Sequence, residues 1–192
     1  MSESGVIEIR WHGRGGQGVV TAARLLAGAA LRADKYFQAF PEFGPERMGA
    51  PIVAFNRISS RPFSNYSQIS NPDVVVVIDP TLLGAEAVIA GVGEDAIFIA
   101  NSSEEARPVA GRLGLEPGQV YVVDASRIAR ETIGRDIPNT AMLGGVVGIT
   151  EIVPLDDVIE ELKELMGEKL GSERIEGNIE AIRRTFETIR AR

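Results

Sequence analysis

A glycine-rich loop directly after a short apolar run constrains the fold of this chain more than any other feature. The loop reads His12-Gly13-Arg14-Gly15-Gly16-Gln17-Gly18, and it follows the run 6–11. Apolar residues then recur at steps of three and four through 19–33, which is the spacing of a helix with one buried face. The order strand, glycine loop, helix predicts an α/β fold in which a partner can approach the loop backbone closely.

The first turn of that helix is a candidate anion site, because its leading amides lack intrahelical acceptors and lie at the positive end of the helix dipole. The loop also fits the G-x-G-x-x-G spacing of dinucleotide-binding loops at Gly13, Gly15 and Gly18. Such loops need an acid at the end of the second strand, about 20 residues on. Asp34 precedes the predicted second strand 36–41, and we place Glu42 beyond it in a loop, so we do not expect NAD binding.

Further strands and helices alternate along the chain, which predicts parallel strands joined by helical crossovers. The β-branched run 73–79 is typical of a central strand that is buried on both faces. Further strands are predicted at 96–101 and 120–124, and helices at about 81–91, 103–113, 125–133 and 141–150. Residues 52–58 and 63–69 are predicted to pair as an antiparallel hairpin outside this alternation.

We therefore predict a Rossmann-like fold, a mostly parallel sheet flanked by helices, with an antiparallel hairpin excursion and C-terminal helices. The chain has 192 residues, of which 44% are hydrophobic, and this suits one domain. We expect that domain to span residues 1–192, with 151–192 as a helical C-terminal extension. Gly144, Gly145 and Gly148 fall within a predicted helix and indicate close packing against another backbone.

Composition excludes several classes of function. A net charge of −7 disfavours binding to nucleic acid and to anionic membranes. The absence of cysteine excludes disulfides, thiolate nucleophiles and cysteine-ligated iron-sulfur or zinc sites in this chain. No apolar stretch approaches the roughly 20 residues of a membrane span, and the N-terminus lacks the pattern of a signal peptide. We therefore expect a cytoplasmic protein.

Several polar residues follow the predicted strands. His12 is the only histidine, and we favour a hydrogen-bonded structural imidazole over an acid–base role. Asp79, Asn101 and Asp124 each end a strand and should lie along the edge of the sheet that holds the glycine loop, with helix capping favoured for the two aspartates.

Two other segments contain candidate contact residues. Glu46 and Arg47 lie in the proline-rich stretch 41–51, where a stiff backbone would fix both charges against a ligand or a partner chain. Asn139 and Thr140 precede the glycine-containing helix, where they either cap it or present free amides to a ligand.

These motifs together resemble the gamma subunits and gamma domains of the 2-oxoacid:ferredoxin oxidoreductases, most closely those of the pyruvate enzymes. The resemblance runs from about residue 6 to the end of the chain. It is carried by Trp11–Gly18, by Gln38-Ala39-Phe40-Pro41, by Glu46-Arg47-Met48-Gly49-Ala50-Pro51, by Asn71-Pro72-Asp73 leading into Val77-Ile78-Asp79, and by Pro138-Asn139-Thr140-Ala141-Met142-Leu143-Gly144.

The resemblance implies a subunit of a complex that oxidatively decarboxylates a 2-oxoacid, reduces ferredoxin and transfers the acyl group to coenzyme A. It implies alpha, beta and delta-type partner subunits that carry thiamine diphosphate, magnesium and iron-sulfur clusters, with no cofactor resident in this chain. The residues implied to contact coenzyme A or a partner are Gly13, Arg14, Gly15, Gly16, Gln17, Gly18, Glu46, Arg47, Asn139 and Thr140.

Two alternatives remain open from the sequence. One is a free-standing nucleotide-binding protein with a Rossmann-like fold, which would bind NAD or ATP as an isolated chain. The other is a scaffold subunit without any ligand. The glycine loop is compatible with each of these functions, and the motifs do not identify the 2-oxoacid.

Overall fold

The computed structural model describes residues 5–42, 49–167 and 170–191. Within these ranges six strands form one sheet: β1 (Val6–Arg14), β2 (Tyr36–Glu42), β3 (Pro51–Ser59), β4 (Val74–Val77), β5 (Ile97–Asn101) and β6 (Val120–Val123). The helices are α1 (Val19–Arg32), α2 (Glu86–Ile89), α3 (Ala106–Leu113), α4 (Ala125–Ile133), α5 (Asn139–Thr150), α6 (Leu155–Met166) and α7 (Ser172–Arg190). Two 3-10 turns lie at Pro80–Leu82 and Pro117–Gln119.

The sheet has the strand order β2-β3-β1-β4-β5-β6. Strands β1, β4, β5 and β6 are parallel, whereas β3 runs antiparallel to both of its neighbours, β1 and β2. All strands except β3 therefore point the same way, which confirms the predicted mostly parallel sheet. Because β3 separates β1 from β2, the first two strands of the chain are not neighbours.

The predicted hairpin partner of β3 is wrong. Residues 63–69 form no strand, and β3 pairs instead with β1 and β2, in the registers Trp11↔Ala54 and Phe40↔Phe55. Residues 63–69 do not pair as a strand because the buried guanidinium of Arg57 donates to the carbonyls of Asn65 (2.9 Å) and Ser67 (3.0 Å). A side chain thus satisfies backbone acceptors that would otherwise pair in a ladder.

A second buried contact holds β3 beside β1. The Trp11 indole N–H donates to Asn56 Oδ1 at 2.8 Å, and Asn56 Nδ2 donates to the carbonyl of Ala23 in α1 at 2.9 Å. Both side chains are fully buried, so these bonds are shielded from competing water. They connect β1, β3 and α1 in the core.

Other boundaries also differ from the prediction. Helix α3 begins at Ala106 instead of 103, and α5 begins at Asn139 with Pro138 as its N-cap, so the predicted cap from Asn139 or Thr140 is wrong. The single helix expected over 81–91 is instead the 3-10 turn Pro80–Leu82 followed by the short α2. The Asp79 carboxylate accepts from the Thr81 amide at 2.8 Å and thereby starts the 3-10 turn. Glu42, expected in a loop, is the last residue of β2.

The core occupies both sides of the sheet. On one side, α1, α5, α6 and α7 cover Ile9, Trp11 and Ile99, and on the other side α3 covers Val75 and Phe98. All of β4 is buried, which confirms the prediction of a central strand. None of the helices in the described ranges is long and apolar enough to cross a lipid bilayer.

Helix α5 packs closely against α7, and this contact depends on glycine. A Cβ on Gly144 would lie 2.1 Å from the carbonyl oxygen of Ile182. A Cβ on Gly148 would lie 2.8 Å from Ile189 and 3.2 Å from the carbonyl oxygen of Phe186. The predicted close approach of two backbones at these glycines is confirmed.

Substitution Gly144→Ala should therefore destabilise the protein by about 1–3 kcal/mol, because the added methyl group forces α5 and α7 apart. Urea unfolding of the purified chain measures this change. Gly111→Ala in α3 is the matched control, since a Cβ there meets open space. It should stabilise the chain by roughly 0.5–1 kcal/mol. Equal effects at the two positions would contradict the packing argument.

Candidate functional site

The glycine loop lies at the carboxyl end of β1, as predicted. Arg14 is the last residue of β1, residues 15–17 form the turn, and Gly18 is the N-cap of α1 with φ of 76°. Gly18 has no side chain with which to cap the helix, so the first amides of α1 have no side-chain acceptor from their N-cap residue. The neighbouring strand β4 ends at the same edge of the sheet and leads into Asp79.

Hydrogen bonds within the chain hold the loop in place. The Arg14 amide donates to Gln17 Oε1 at 2.7 Å, and Gln17 Nε2 donates to Asp79 Oδ2 at 2.6 Å. The Arg14 guanidinium donates to Thr81 Oγ1 at 2.9 Å and to the Gly49 carbonyl at 3.1 Å, and its Nε lies 3.4 Å from the Asp79 carboxylate. The side chains of Arg14 and Gln17 thus tie the loop to the start of the 3-10 turn after β4.

Asp79 is the acceptor on which these contacts converge. Burial by itself would raise the pKa of its carboxyl group, but hydrogen bonds from Thr81 and Gln17, together with the charge of Arg14, outweigh burial and lower the pKa. Asp79 is therefore a carboxylate that caps its own 3-10 turn and holds the loop, which confirms the capping interpretation.

The two other strand-end residues lie further along the same edge. Asp124 accepts from the Arg127 amide at 2.9 Å and caps α4, as predicted. Asn101 donates to the Ile78 carbonyl at 2.8 Å and to Ser126 Oγ at 2.9 Å, and so connects β4 with α4. In the described structure only Asp79 of the three contacts the glycine loop.

The glycines of the loop differ in what they face. A Cβ on Gly13 would lie 2.6 Å from Val19, and one on Gly18 would lie 2.4 Å from Asn139 Nδ2. The Gly15 amide donates to the Ala50 carbonyl at 2.9 Å, and its own carbonyl accepts from Gly49. Gly16, with φ of 96°, faces open space. Of Gly13, Gly16 and Gly18, Gly16 is therefore the one at which a ligand or partner can approach without displacing a neighbour.

Beside Gly16 lies a pocket of about 200 Å³ at which the starts of α1 and α5 meet. Asn139 Nδ2 donates to the Gly18 carbonyl at 3.2 Å, and Thr140 Oγ1 donates to Asn178 Oδ1 at 2.8 Å. The structure thus brings Gly16, Gly18, Asn139 and Thr140 together in one lining. It directs the side chains of Arg14 and Gln17 away from this lining, towards Thr81 and Asp79.

Two pocket residues were missed by the sequence analysis. Arg135, in the loop after α4, and Arg174, in α7, line the pocket and are exposed to solvent. Neither guanidinium has an ion pair within the described part of the chain, and the pocket lining contains no carboxylate. Both arginines lie far from the glycine loop in sequence and belong to no motif, so only the packing of α7 against α4 and α5 identifies them.

His12 does not behave as the sequence suggested. It is 4% exposed, and its Nε2 has no hydrogen-bond partner among the described residues, so the predicted hydrogen-bonded imidazole is wrong at that atom. Burial, and secondarily the charge of Arg10, lowers the pKa of His12 to about 3. The imidazole is therefore neutral at neutral pH and unsuited to proton transfer there.

Glu46 and Arg47 lie outside the described residues. Within the ranges that are described, no group of three or more His, Cys, Asp or Glu side chains is placed to hold a metal ion. The strand order also argues against dinucleotide binding at the glycine loop, because β3 lies between β1 and β2. Glu42, at the end of β2, is therefore about 10 Å from β1 across the sheet.

The fold and the loop together define an α/β protein with a Rossmann-like sheet whose glycine loop is not a dinucleotide fingerprint. Residues 8–188 match the family model described as pyruvate ferredoxin/flavodoxin oxidoreductase. Pyruvate synthase subunit PorC of Thermotoga maritima is 48% identical over 183 residues, which are 95% of this chain and 94% of that protein. The pyruvate/ketoisovalerate oxidoreductases common subunit gamma of Thermococcus kodakarensis is 47% identical over 180 residues, 94% and 97% of the two chains.

Solved structures agree with this assignment. The crystal structure of the Thermotoga maritima PorC subunit superposes with a TM-score of 0.83 at 46% identity and covers 95% of this chain and 96% of that one. A 2-oxoglutarate:ferredoxin oxidoreductase from Magnetococcus marinus shares the fold alone, with a TM-score of 0.77 at 21% identity over 98% of this chain and 32% of that one. The chain belongs to the pyruvate ferredoxin/flavodoxin oxidoreductase family, as a gamma-type subunit of a multisubunit oxidoreductase. The resemblance predicted from the sequence is confirmed.

The buried His12 predicts a pH dependence of stability. Between pH 6.5 and about 3 the unfolded chain binds a proton on His12 that the folded chain does not, so stability is full above pH 6.5 and falls as the pH is lowered. Relative to His12→Leu, the wild type should lose about 2 kcal/mol more between pH 7 and pH 5. Urea unfolding of both proteins across this range measures the difference, and parallel pH profiles would contradict it.

Proposed function

We propose that this chain is the gamma subunit of a cytoplasmic pyruvate:ferredoxin oxidoreductase, which converts a 2-oxoacid and coenzyme A into acyl-CoA and CO2 and reduces ferredoxin. In this proposal, alpha, beta and delta-type subunits carry thiamine diphosphate, magnesium and the iron-sulfur clusters. The absence of cysteine from this chain supports that division, because such clusters are held by thiolates. Residues 1–192 act as one domain, in which the extension 151–192 packs on α1 and α5 through α6 and α7.

The single observation that supports a role in binding coenzyme A is the charge of the pocket beside the glycine loop. Among the residues that the structure describes, Arg135 and Arg174 contribute two guanidinium groups without ion pairs to a lining without carboxylates, in a chain whose net charge is −7. The starts of α1 and α5 add the positive ends of two helix dipoles. An anionic group is therefore favoured here over the rest of the surface.

The size of the pocket indicates which part of coenzyme A it would hold. About 200 Å³ accommodates a phosphate or diphosphate group but is too small for the whole molecule. Gly16 leaves the approach to the loop open, and Arg135 and Arg174 would donate to the phosphate oxygens. When bound, coenzyme A supplies the thiol that accepts the acyl group, whereas this chain binds and orients its phosphate end.

The other predicted contact residues have supporting positions in this proposal. Gly13, Gly15, Gly18 and Gln17 set the shape of the loop, and Arg14 acts through its contacts with Thr81 and Gly49 as a positioning residue. Asn139 holds the start of α5 against the loop, and Thr140 holds it against Asn178 of α7. Glu46 and Arg47 remain candidates for contact with coenzyme A or with a partner subunit.

The double substitution Arg135→Ala/Arg174→Ala tests the pocket in the assembled complex. A hydrogen bond to a charged group contributes about 1.5–3 kcal/mol. We therefore expect the KM for coenzyme A to rise at least about tenfold while kcat at saturating coenzyme A and the KM for pyruvate stay unchanged. Steady-state kinetics of pyruvate-dependent ferredoxin reduction provide all three constants.

Arg107→Ala is the matched control, since Arg107 is an exposed arginine of α3 outside the pocket lining. This control should keep the wild-type KM for coenzyme A. An unchanged KM in the double variant, with assembly intact, would remove the coenzyme A role and leave a scaffold subunit. Calorimetric binding of NAD or ATP to the isolated chain would instead support the free-standing nucleotide-binding protein.

A further inference from the structure

A large cavity lies at the edge of the sheet opposite the glycine loop. This amino-end groove has a volume of about 710 Å³ and runs along the starts of β1, β4 and β5, the loop 91–95 and the end of α5. Ligands of open α/β sheets bind at the carboxyl ends of the parallel strands. A large groove at the amino ends is therefore placed away from the expected ligand edge.

The charge of the amino-end groove is opposite to that of the pocket beside the glycine loop. Among the described residues its lining contains four carboxylates, Asp73, Glu94, Asp95 and Glu151, and no lysine or arginine. Asp73 accepts from the Glu8 amide, and Glu151 is ion-paired with Arg190 outside the lining. Glu94 and Asp95 are exposed, and neither has a hydrogen bond or ion pair within the described residues. The carboxyl end of α5 also lines the groove and adds the negative end of a helix dipole.

The acidic residues surround an apolar surface. Ile7, Val92, Ile97 and Ile149 contribute side chains to the lining. The groove continues past Thr150 and Glu151 into two adjoining clefts of about 290 and 530 Å³, which extend to Lys35 and Phe186. An apolar centre with a charged rim over such a length is typical of protein–protein interfaces.

We propose that the amino-end groove binds a basic segment of another subunit of the same complex, with apolar side chains against Ile97 and Ile149 and Lys or Arg side chains against Glu94 and Asp95. Charge complementarity selects this occupant, because the two carboxylates without an ion pair, Glu94 and Asp95, and the helix dipole both favour a cation. The proposal depends on the chain being a subunit of a complex and not on coenzyme A binding. If this proposal is wrong, subunit association is unchanged in the groove variants. If the coenzyme A role is wrong, the KM for coenzyme A is unchanged in the Arg135→Ala/Arg174→Ala variant.

Filling the groove is the first test. Gly93 lies in the groove lining, its φ is outside the left-handed region, and a Cβ there meets no neighbour within 4 Å, so we expect Gly93→Trp to add an indole at the groove. Gly118→Trp is the matched control, because Gly118 has the same freedom outside the groove. Each tagged variant is co-expressed with the other subunits, and the subunits retained are quantified by native mass spectrometry.

We expect Gly93→Trp to retain at most about one tenth of the partner subunits that the wild type and Gly118→Trp retain. Thermal unfolding of each isolated chain shows that both variants fold. Retention at the wild-type level by folded Gly93→Trp would overturn the proposal.

Neutralising the rim is the second test, and it creates no bulk. Glu94→Gln/Asp95→Asn should weaken subunit association about tenfold at low salt and reduce its dependence on salt concentration. Glu176→Gln/Glu180→Gln, at two exposed acids of α7 outside the groove, should leave both unchanged.

Unchanged association and salt dependence in the rim variant would overturn the proposed basic occupant. Sedimentation of the isolated wild-type chain tests the competing occupant, a second copy of this chain. A dimer that only the groove variants dissociate would overturn the proposal in favour of self-association.

Discussion

The candidate site depends on the contacts of the Asp79 carboxylate. This carboxylate accepts from Gln17 in the glycine loop and from Thr81 in the following turn, and it lies beside the Arg14 guanidinium. A loop of this glycine content loses much conformational freedom on folding and needs such fixed contacts. Once the loop is held, α1 begins at a defined point and Gly18 contacts Asn139. The pocket between the two helix starts is a consequence of that contact.

The two cavities at opposite ends of the sheet have linings of opposite charge. Arg135 and Arg174 line the pocket at the carboxyl ends of the strands, whereas four carboxylates line the groove at the amino ends. The dipole of helix α5 strengthens both charges, because its positive start faces the pocket and its negative end faces the groove. One buried helix therefore favours an anion at one edge of the molecule and a cation at the other, which suits a subunit with a ligand on one side and a neighbour on the other.

Local patterns predicted most of the fold because they record burial directly. The all-valine strand β4 and the apolar spacing of α1 both have the residues that a buried surface requires, and both elements were predicted. The hairpin at 63–69 was predicted wrongly because its outcome depends on Arg57, whose guanidinium reaches carbonyls eight and ten residues away. The β-propensity of single residues does not predict such a contact, because tertiary packing decides which segment pairs with a strand.

The candidate site divides in the same way. The glycine loop, Asn139 and Thr140 were found from motifs, and the structure places Gly16 and Gly18 of the loop around one pocket with Asn139 and Thr140. Arg135 and Arg174 were not found, because isolated arginines in a loop and on a charged helix have no local pattern that separates them from solvated surface residues. Their role in the pocket depends on α7 returning to pack on α4 and α5.

The sequence by itself determined the class of the chain: its strand, glycine loop and helix order, its lack of cysteine and its family motifs. These are properties of residue type and spacing, which are present before the chain folds. Only the tertiary structure decided that β3 lies between β1 and β2, that His12 is buried as a neutral base, and that two cavities with linings of opposite charge lie at opposite ends of the sheet. Those outcomes depend on residues distant in sequence becoming neighbours, and desolvation and charge pairing act only after that approach.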